Sequence, residues 1–173
     1  RFGRKAKNLI DSQEYAKIFK TRLQEDSKAA GRWETAQGGE YFAAGVGGAI
    51  TGRGADLLII DDPHSEQDAM SETSLENAYE WYTSGPRQRL QPGASIVLVM
   101  TRWSLKDLTG LLLKNQKEVK ADQWDVVEFP AIMDDGAAMW PEYWKQEELE
   151  KVKATLPTTK WNAQWMQAPT SEE

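Results

Sequence analysis

Runs of apolar residues that stop at polar turns predict the main strands of this chain. Four consecutive apolar residues in Leu57–Ile60 end abruptly at Asp61, Asp62 and Pro63. A continuous run of this length is typical of a strand that is buried on both faces, as in parallel sheets. Because proline forces the chain out of a sheet, both acids are expected at the carboxyl end of the strand. Open α/β sheets bind their ligands at that edge.

Two further apolar runs, residues 95–100 and 124–129, predict a second and a third strand. Apolar residues recur at helical spacing over 75–82, which predicts an amphipathic helix covering the sheet. The second strand run is followed by Ser104, three residues before an aspartate, so this serine is expected to cap the next helix. Other expected elements are a helix near 11–19 with Asp11 as its cap, a glycine-rich hairpin or pair of short strands at 38–54, a turn at 134–136 and a helix at 141–156.

Composition narrows the class of protein. The chain has 173 residues, 40% hydrophobic and 28% charged, which suits one domain with a sizeable core. No apolar run approaches the roughly 20 residues that span a bilayer, so no membrane partner is expected. With no cysteine and one histidine, disulfides and multi-histidine zinc sites are excluded. A net charge of −6 argues against an autonomous, tight DNA binder.

The acids after the first strand are the leading candidate for chemistry. Adjacent carboxylates at such an edge repel each other unless a cation holds them, and Mg²⁺ on a nucleotide is the obvious candidate. The pattern resembles a Walker B motif, in which Asp61 enters the metal shell and Asp62 orients or activates the attacking water. The alternative is structural, because Asp also caps turns.

Two polar residues near the strands carry similar alternatives. Thr101 ends the second strand, where it either senses a γ-phosphate or simply enters the next helix. Arg53 lies between glycines before the first strand, and it is either a surface residue or an arginine finger on phosphate. The glycine-rich run contains no Gly-x₄-Gly-Lys-[Ser/Thr] sequence, so the chain has no Walker A loop.

Taken together, several stretches resemble the large terminase subunit of tailed bacteriophages, the ATP-driven motor that packages DNA. The similarity covers nearly the whole chain, and the matching stretches are Gly48–Asp56, Leu57–Pro63, Tyr79–Leu90, Val99–Trp103, Met139–Glu142 and Gln164–Pro169. The resemblance implies an ASCE-type P-loop NTPase fold, a three-layer α/β sandwich with a mainly parallel central sheet.

By this resemblance, Asp61 is the magnesium-shell acid and Asp62 the catalytic carboxylate. Many relatives have Glu at the second position, and Asp is one methylene shorter. Thr101, with Arg102, matches the coupling motif and contacts ATP. Arg53 is the candidate trans-acting finger or phosphate sensor. The implied cofactors are Mg²⁺ and ATP.

The resemblance also implies domain bounds and partners. Residues 1–167 match the later portion of the ATPase domain, and 168–173 the start of a linker to a nuclease domain. The opening residues 1–7 read like the end of a helix cut from something longer. The implied partners are double-stranded DNA, the portal protein, the small terminase subunit and other copies in a ring. The implied location is the host cytoplasm, transiently at the portal vertex of the procapsid. Without a Walker A loop, the chain alone is expected to bind and hydrolyse ATP poorly.

Two alternatives remain open from the residues. A metal-dependent nuclease would use Asp61, Asp62 and Asp56 to bind two metals directly. Further acids should then converge on the pair, and the sequence offers only Asp134 and Asp135, which are expected in a turn. The other alternative is a non-catalytic module that docks on a portal or a neighbouring subunit through its tryptophans and its charged helix.

Overall fold

The computed structural model describes residues 2–27, 29–50 and 52–171. They fall into two compact units, Arg1–Ile50 and Thr51–Glu173. Three parts of the sequence expectations lie outside the described residues: the first residue of the opening segment, Thr51 of the glycine-rich stretch, and residues 172–173 of the expected linker. The bounds 1–167 and 168–173 stay predictions.

The first unit is a helical segment and a small hairpin. It contains α1 (Phe2–Ile10), α2 (Gln13–Ile18), β1 (Arg32–Glu34) and β2 (Glu40–Phe42), and the two strands pair antiparallel. The Trp33 ring is buried and stacks on Tyr41 with 4.8 Å between centroids. In α1, a Cβ on Gly3 would lie 2.3 Å from the carbonyl oxygen of Ala30, so this contact requires glycine.

Two expectations are corrected in the first unit. The cap of α2 is Ser12 rather than Asp11, since its hydroxyl accepts from the Tyr15 amide. The hairpin spans residues 32–42, so it begins before the glycine-rich stretch at 38–54, and only its second strand lies within that stretch. An ion pair of Arg32 with Glu40 and the stacked aromatic rings supply its cross-strand contacts, and the glycines supply turns.

The second unit is built on a parallel pair of strands. Strand β3 (Ala55–Asp61) pairs with β4 (Leu90–Val99), with Leu57 opposite Ser95 and Asp61 opposite Val99. The helices are α3 (Glu66–Ala69), α4 (Glu72–Ser84), a 3₁₀ turn (Pro86–Arg89), α5 (Leu108–Asn115), α6 (Gln146–Thr155), α7 (Thr158–Lys160) and a π turn (Trp161–Trp165). Since β3 and β4 are joined through helices, they form a β–α–β unit.

The core lies between one face of this sheet and helices α4 and α5. Its buried side chains are Ile60, Tyr82, Leu108 and Leu112, and Leu58, Ile96 and Leu98 pack against them. Side chains alternate between the faces of a strand, so every second residue of the apolar runs points to this core.

The opposite face of the sheet is open, which corrects the expectation of burial on both faces. Leu57 is 54% exposed, Ile59 61%, Val97 43% and Val99 56%. A continuous apolar run indicates burial on both faces only where other elements cover both faces of the sheet. Within residues 2–27, 29–50 and 52–171, no element covers the face that carries Leu57, Ile59, Val97 and Val99.

Three other expectations are corrected in the second unit. Residues 124–129 form no strand, because no described neighbour pairs with them. Helix α5 begins at Leu108 with Asp107 as its cap, so Ser104 lies before the helix. Helix α6 begins at Gln146, because the Trp140 and Tyr143 rings stack over a turn in the segment where a helix was expected.

The tryptophans near the carboxyl end pack on one another. Trp161 stacks on Trp165 at 5.6 Å, which confirms that this pair serves packing, and Trp144 meets Trp165 edge-on at 5.2 Å. The Trp165 carbonyl accepts from the Ala131 amide. This packing anchors the segment that carries Gln167.

The described part of the chain is therefore α/β, with a small parallel sheet. The helix at 72–84 and the strands over residues 57–60 and 95–99 are confirmed. None of the described helices is both long and apolar enough to span a membrane.

Candidate functional site

The two candidate acids lie at the carboxyl end of β3. Asp61 is the last residue of the strand, and Asp62 follows it. Asp61 continues the alternation of Leu57 and Ile59, so its side chain lies on the open face of the sheet. Both acids are exposed, whereas the next residues, Pro63 and His64, are buried.

Asp62 has a strained backbone. Its φ is +43°, in the left-handed region that costs a non-glycine residue about 1–2 kcal/mol, although Asp tolerates it better than most. Strain of this kind persists where the surrounding structure imposes it, and it is concentrated at functional sites. Here the strain turns the chain at the strand end and lets an exposed carboxylate reach the neighbouring strand.

The ends of the two strands are joined through Asp62. Its amide donates to the Val99 carbonyl oxygen at 2.9 Å. Its Oδ1 accepts from the Thr101 amide at 3.3 Å. The structure therefore brings the candidate catalytic acid and the candidate coupling residue together at one edge of the sheet.

Arg102 faces inward instead of toward the acids. Its Nε donates to the Asp107 carboxylate at 3.0 Å, and its side chain is 12% exposed. Its amide donates to Oε1 of Gln167 at 3.1 Å. The guanidinium is thus engaged inside the unit, and a contact with ATP through it would require this ion pair to open.

Asp107 is buried, although the sequence pattern indicated only that it follows the expected helix cap, Ser104, by three residues. It is 0% exposed, and its carboxylate accepts from the amides of Trp103, Ser104 and Gly110 and from Arg102. Four donors compensate for burying the charge. The signal in the sequence was an aspartate three residues before Gly110 at the start of an apolar run.

Gln167 was also missed as a site neighbour. It has φ +55°, and its Nε2 donates to the Gln164 carbonyl while Oε1 holds the Arg102 amide. Nothing local predicts this contact, because the two residues are 65 positions apart.

His64 anchors the loop that carries the acids. Its Nε2 accepts from the Leu108 amide at 2.9 Å, so the ring is neutral and holds the first turn of α5. Burial lowers the pKa of His64 below its ordinary 6.5, against smaller opposing effects of Asp107 and Asp68. The loop after the acids is therefore fixed to the helix that follows β4.

Arg53 lies at the other end of β3 from the acids. It precedes the first residue of the strand, and the seven residues of Ala55–Asp61 span about 20 Å. Arg53 therefore does not share a site with Asp61 of its own chain. Of the roles predicted for Arg53, this position is compatible with the trans-acting one, in which the arginine reaches the site of a neighbouring copy.

The donor chemistry at the strand end fits Mg²⁺. This ion is bound in proteins by one or two carboxylates, with waters and substrate phosphates completing the shell. Asp61 and Asp62 supply two such carboxylates. Over residues 2–27, 29–50 and 52–171, no three acidic or histidine side chains come together as a metal site.

The remaining acids named for a nuclease lie elsewhere. Asp56 is at the start of β3, about 17 Å along the strand from Asp61. Asp135 accepts from the Ala137 amide in a turn with Gly136 at φ +84°, which confirms the expected turn. Neither joins the pair at the strand end.

No protein-family model matches this chain, and no curated protein matches it.

Proposed function

We propose that this chain is the later portion of the ATPase domain of a viral DNA-packaging motor, a large terminase subunit. The observation that carries the proposal is the join at the sheet edge, where Asp62 hydrogen-bonds both to the end of β4 and to Thr101. An acid that touches the neighbouring strand end can link a change at a phosphate to movement of that strand's loop.

The proposed roles follow from the positions of the side chains. Asp61, exposed on the open face, holds Mg²⁺, which supplies charge neutralisation to the β- and γ-phosphates when bound. Asp62 orients the attacking water. Thr101 responds to the γ-phosphate, and its amide contact transmits the response to Asp62.

Arg102 has a positioning role in this proposal. Its ion pair with Asp107 joins the residue after Thr101 to the cap of α5. Its amide contact to Gln167 joins it to the carboxyl-terminal segment. Movement at Thr101 would therefore reach both the helix and that segment. Arg53 serves a neighbouring copy in a ring.

The proposal includes the wider fold and setting. The three-layer P-loop sandwich would be completed by a part that carries a Walker A loop. The motor would act on double-stranded DNA with the portal protein and the small terminase subunit, in the host cytoplasm and at the procapsid portal.

Calorimetry with Mg²⁺-ATP and a phosphate-release assay test the proposal. We expect weak binding by residues 1–173 alone, and tighter binding with turnover when the chain is joined at its amino end to a polypeptide that supplies a Walker A loop. Asp61→Asn and Asp62→Asn should each lower turnover in the joined form by at least 100-fold. Asp135→Asn, in an exposed turn, is the matched control and should leave turnover unchanged.

Two results would contradict the proposal. One is substantial turnover that survives both substitutions at the strand end. The other is DNA cleavage with Mg²⁺ or Mn²⁺ in the absence of ATP, lost in Asp61→Asn, which would identify a nuclease instead.

A further inference from the structure

An exposed aromatic pair lies in the segment before α6. Trp140 is 55% exposed and Tyr143 64%, and their rings stack with 4.8 Å between centroids. The amides of Tyr143 and Trp144 both donate to the Trp140 carbonyl, so a turn holds the two rings side by side. Met139, which is 39% exposed, directly precedes the pair. Single exposed apolar side chains are ordinary, whereas adjacent ones form a patch that indicates an interaction surface.

The pair is the outer end of an aromatic row that is anchored inside the second unit. Tyr143 meets Trp144 edge-on at 5.6 Å, and Trp144 in turn meets Trp165. At the inner end of the row, Nζ of Lys153 lies 5.9 Å from the centroid of the Trp161 ring. One end of the row therefore already holds a cation at cation–π distance, while the other end presents its rings to solvent.

An acidic stretch of the chain surrounds the pair. Residues 133–150 contain one lysine and six acids, which are Asp134, Asp135, Glu142, Glu147, Glu148 and Glu150. Glu142 is exposed in the turn between the two rings, and Asp134 and Asp135 are exposed in the turn before Trp140. Among the described residues, no cation pairs with these three acids. The ammonium of Lys145 donates to the Pro141 carbonyl at 2.8 Å, so it is engaged within the turn.

Exposed rings beside unpaired carboxylates favour a basic partner. The faces of aromatic rings are electron-rich and attract cations. A guanidinium can stack flat on such a face while its N–H groups pair with a carboxylate, which the compact ammonium of lysine does less well. Nucleic acid is disfavoured, because the acids repel its phosphates. A purely apolar surface would cover Glu142 without giving its carboxylate a partner.

We propose that Trp140, Tyr143 and Glu142 form a docking site for a basic, arginine-bearing segment of another protein. One guanidinium of this segment stacks on the Trp140 ring and donates to the Glu142 carboxylate. Further cations of the same segment meet Asp134 and Asp135. The site uses neither a nucleotide nor the acids at the end of β3, so it stands or falls separately from the proposed ATPase function.

Titration of the chain of 173 residues with synthetic peptides tests this docking site. The probe is a short peptide of alternating Arg and Ser, and the comparison peptides carry Lys, Gln or Leu in place of Arg. By calorimetry at low salt, the arginine peptide should bind at least about threefold more tightly than the lysine peptide. The Gln and Leu peptides should give no binding. The indole N–H resonance of Trp140, identified by its absence in Trp140→Phe, should shift with the arginine peptide.

Two exposed aromatic pairs supply a matched comparison of variants. Trp140→Ala should weaken binding of the arginine peptide about fivefold or more, because it removes the ring face. Phe19 is the control, since it is 50% exposed and stacks on Tyr15 at 4.7 Å, but Lys17 and Lys20 flank it instead of acids. Phe19→Ala should leave binding within about twofold.

A second comparison changes charge and leaves the rings in place. Glu142→Gln should weaken binding of the arginine peptide about threefold at low salt, and added salt should reduce this difference. Glu25→Gln, at an exposed acid of the first unit, removes the same charge elsewhere and should leave binding within about twofold. Both glutamates are exposed, so both variants are expected to fold.

Several outcomes would overturn the proposal. Equal effects of Trp140→Ala and Phe19→Ala would show a general attraction of cations to an acidic chain. Tighter binding of the Leu peptide would identify an apolar docking surface instead. Self-association that Trp140→Ala abolishes would identify a second copy of this chain as the occupant, and a DNA duplex that displaces the arginine peptide from the protein would identify nucleic acid.

Discussion

Loss of the Asp107 carboxylate is expected to destabilise the second unit strongly. The carboxylate is fully buried, and the paired Arg102 side chain is 12% exposed. Asp107→Ala leaves this arginine without its carboxylate, with only the Ser104 carbonyl still accepting from the guanidinium, and loss of the charged partner costs about 3–5 kcal/mol in buried pairs. It also removes the cap of α5, which by itself costs about 1 kcal/mol. The two effects share one carboxylate, so we expect a total of about 4 kcal/mol.

The exposed ion pair between Arg87 and Asp122 supplies the matched control. Its atoms are as close, with Nε to Oδ2 at 2.6 Å, but its side chains are 39% and 38% exposed. Water screens such a pair, so Asp122→Ala should cost less than about 1 kcal/mol. Both substitutions remove the same charge from the same kind of pair, and the difference between them reports burial together with the loss of the α5 cap, which accounts for about 1 kcal/mol of it.

Urea unfolding followed by tryptophan fluorescence measures both effects. With a slope of about 2 kcal/mol per molar urea, Asp107→Ala should lower the midpoint by about 2 M. Asp107→Asn retains one acceptor and should cost about 2 kcal/mol, which keeps the comparison measurable if the alanine variant does not fold. Equal losses for the buried and the exposed pair would refute the reasoning, as would a loss below about 1 kcal/mol for Asp107→Ala.

Three more positions in the second unit have testable effects on stability. Because the pKa of His64 is lowered in the folded protein, the unfolded chain takes up this proton at a higher pH than the folded chain does. The stabilisation should therefore be complete above pH 6.5 and should fall as the pH drops from 6.5 toward the folded-state pKa. Unfolding free energies measured across this range should show that dependence on pH in the unchanged protein and lose it in His64→Gln. Leu108→Ala should cost about 2–5 kcal/mol because Leu108 is fully buried, while Leu105→Ala, at a side chain 52% exposed, should cost less than about 0.5 kcal/mol in the same urea assay. Asp62→Gly should leave the melting temperature unchanged or raise it, because glycine relieves the φ of +43°; a loss above about 1 kcal/mol would show that the Thr101 contact outweighs the strain.

The periodic elements of this chain could be predicted from its sequence. The pattern of apolar residues is enough to identify β3, β4 and α4, and Pro63 is enough to place Asp61 and Asp62 at a strand end. These signals are local, since caps, proline and side-chain period act within a few residues. For this reason the amino-acid sequence is sufficient to identify the candidate acids.

Contacts between distant residues were decided only by the tertiary structure. Burial was also decided there: Asp107 looked like part of a serine-capped helix start, and although Arg102 is only five positions away, only packing shows that their ion pair is buried. Residues 124–129 have the composition of a strand but form none, because a strand exists only with a partner to receive its hydrogen bonds. The meeting of Asp62 with Thr101, 39 positions apart, likewise depends on the parallel register of β3 and β4. Local pattern thus determined which residues could form strands and where the acids would lie, while pairing and burial, which require the whole unit to fold, decided which of them meet.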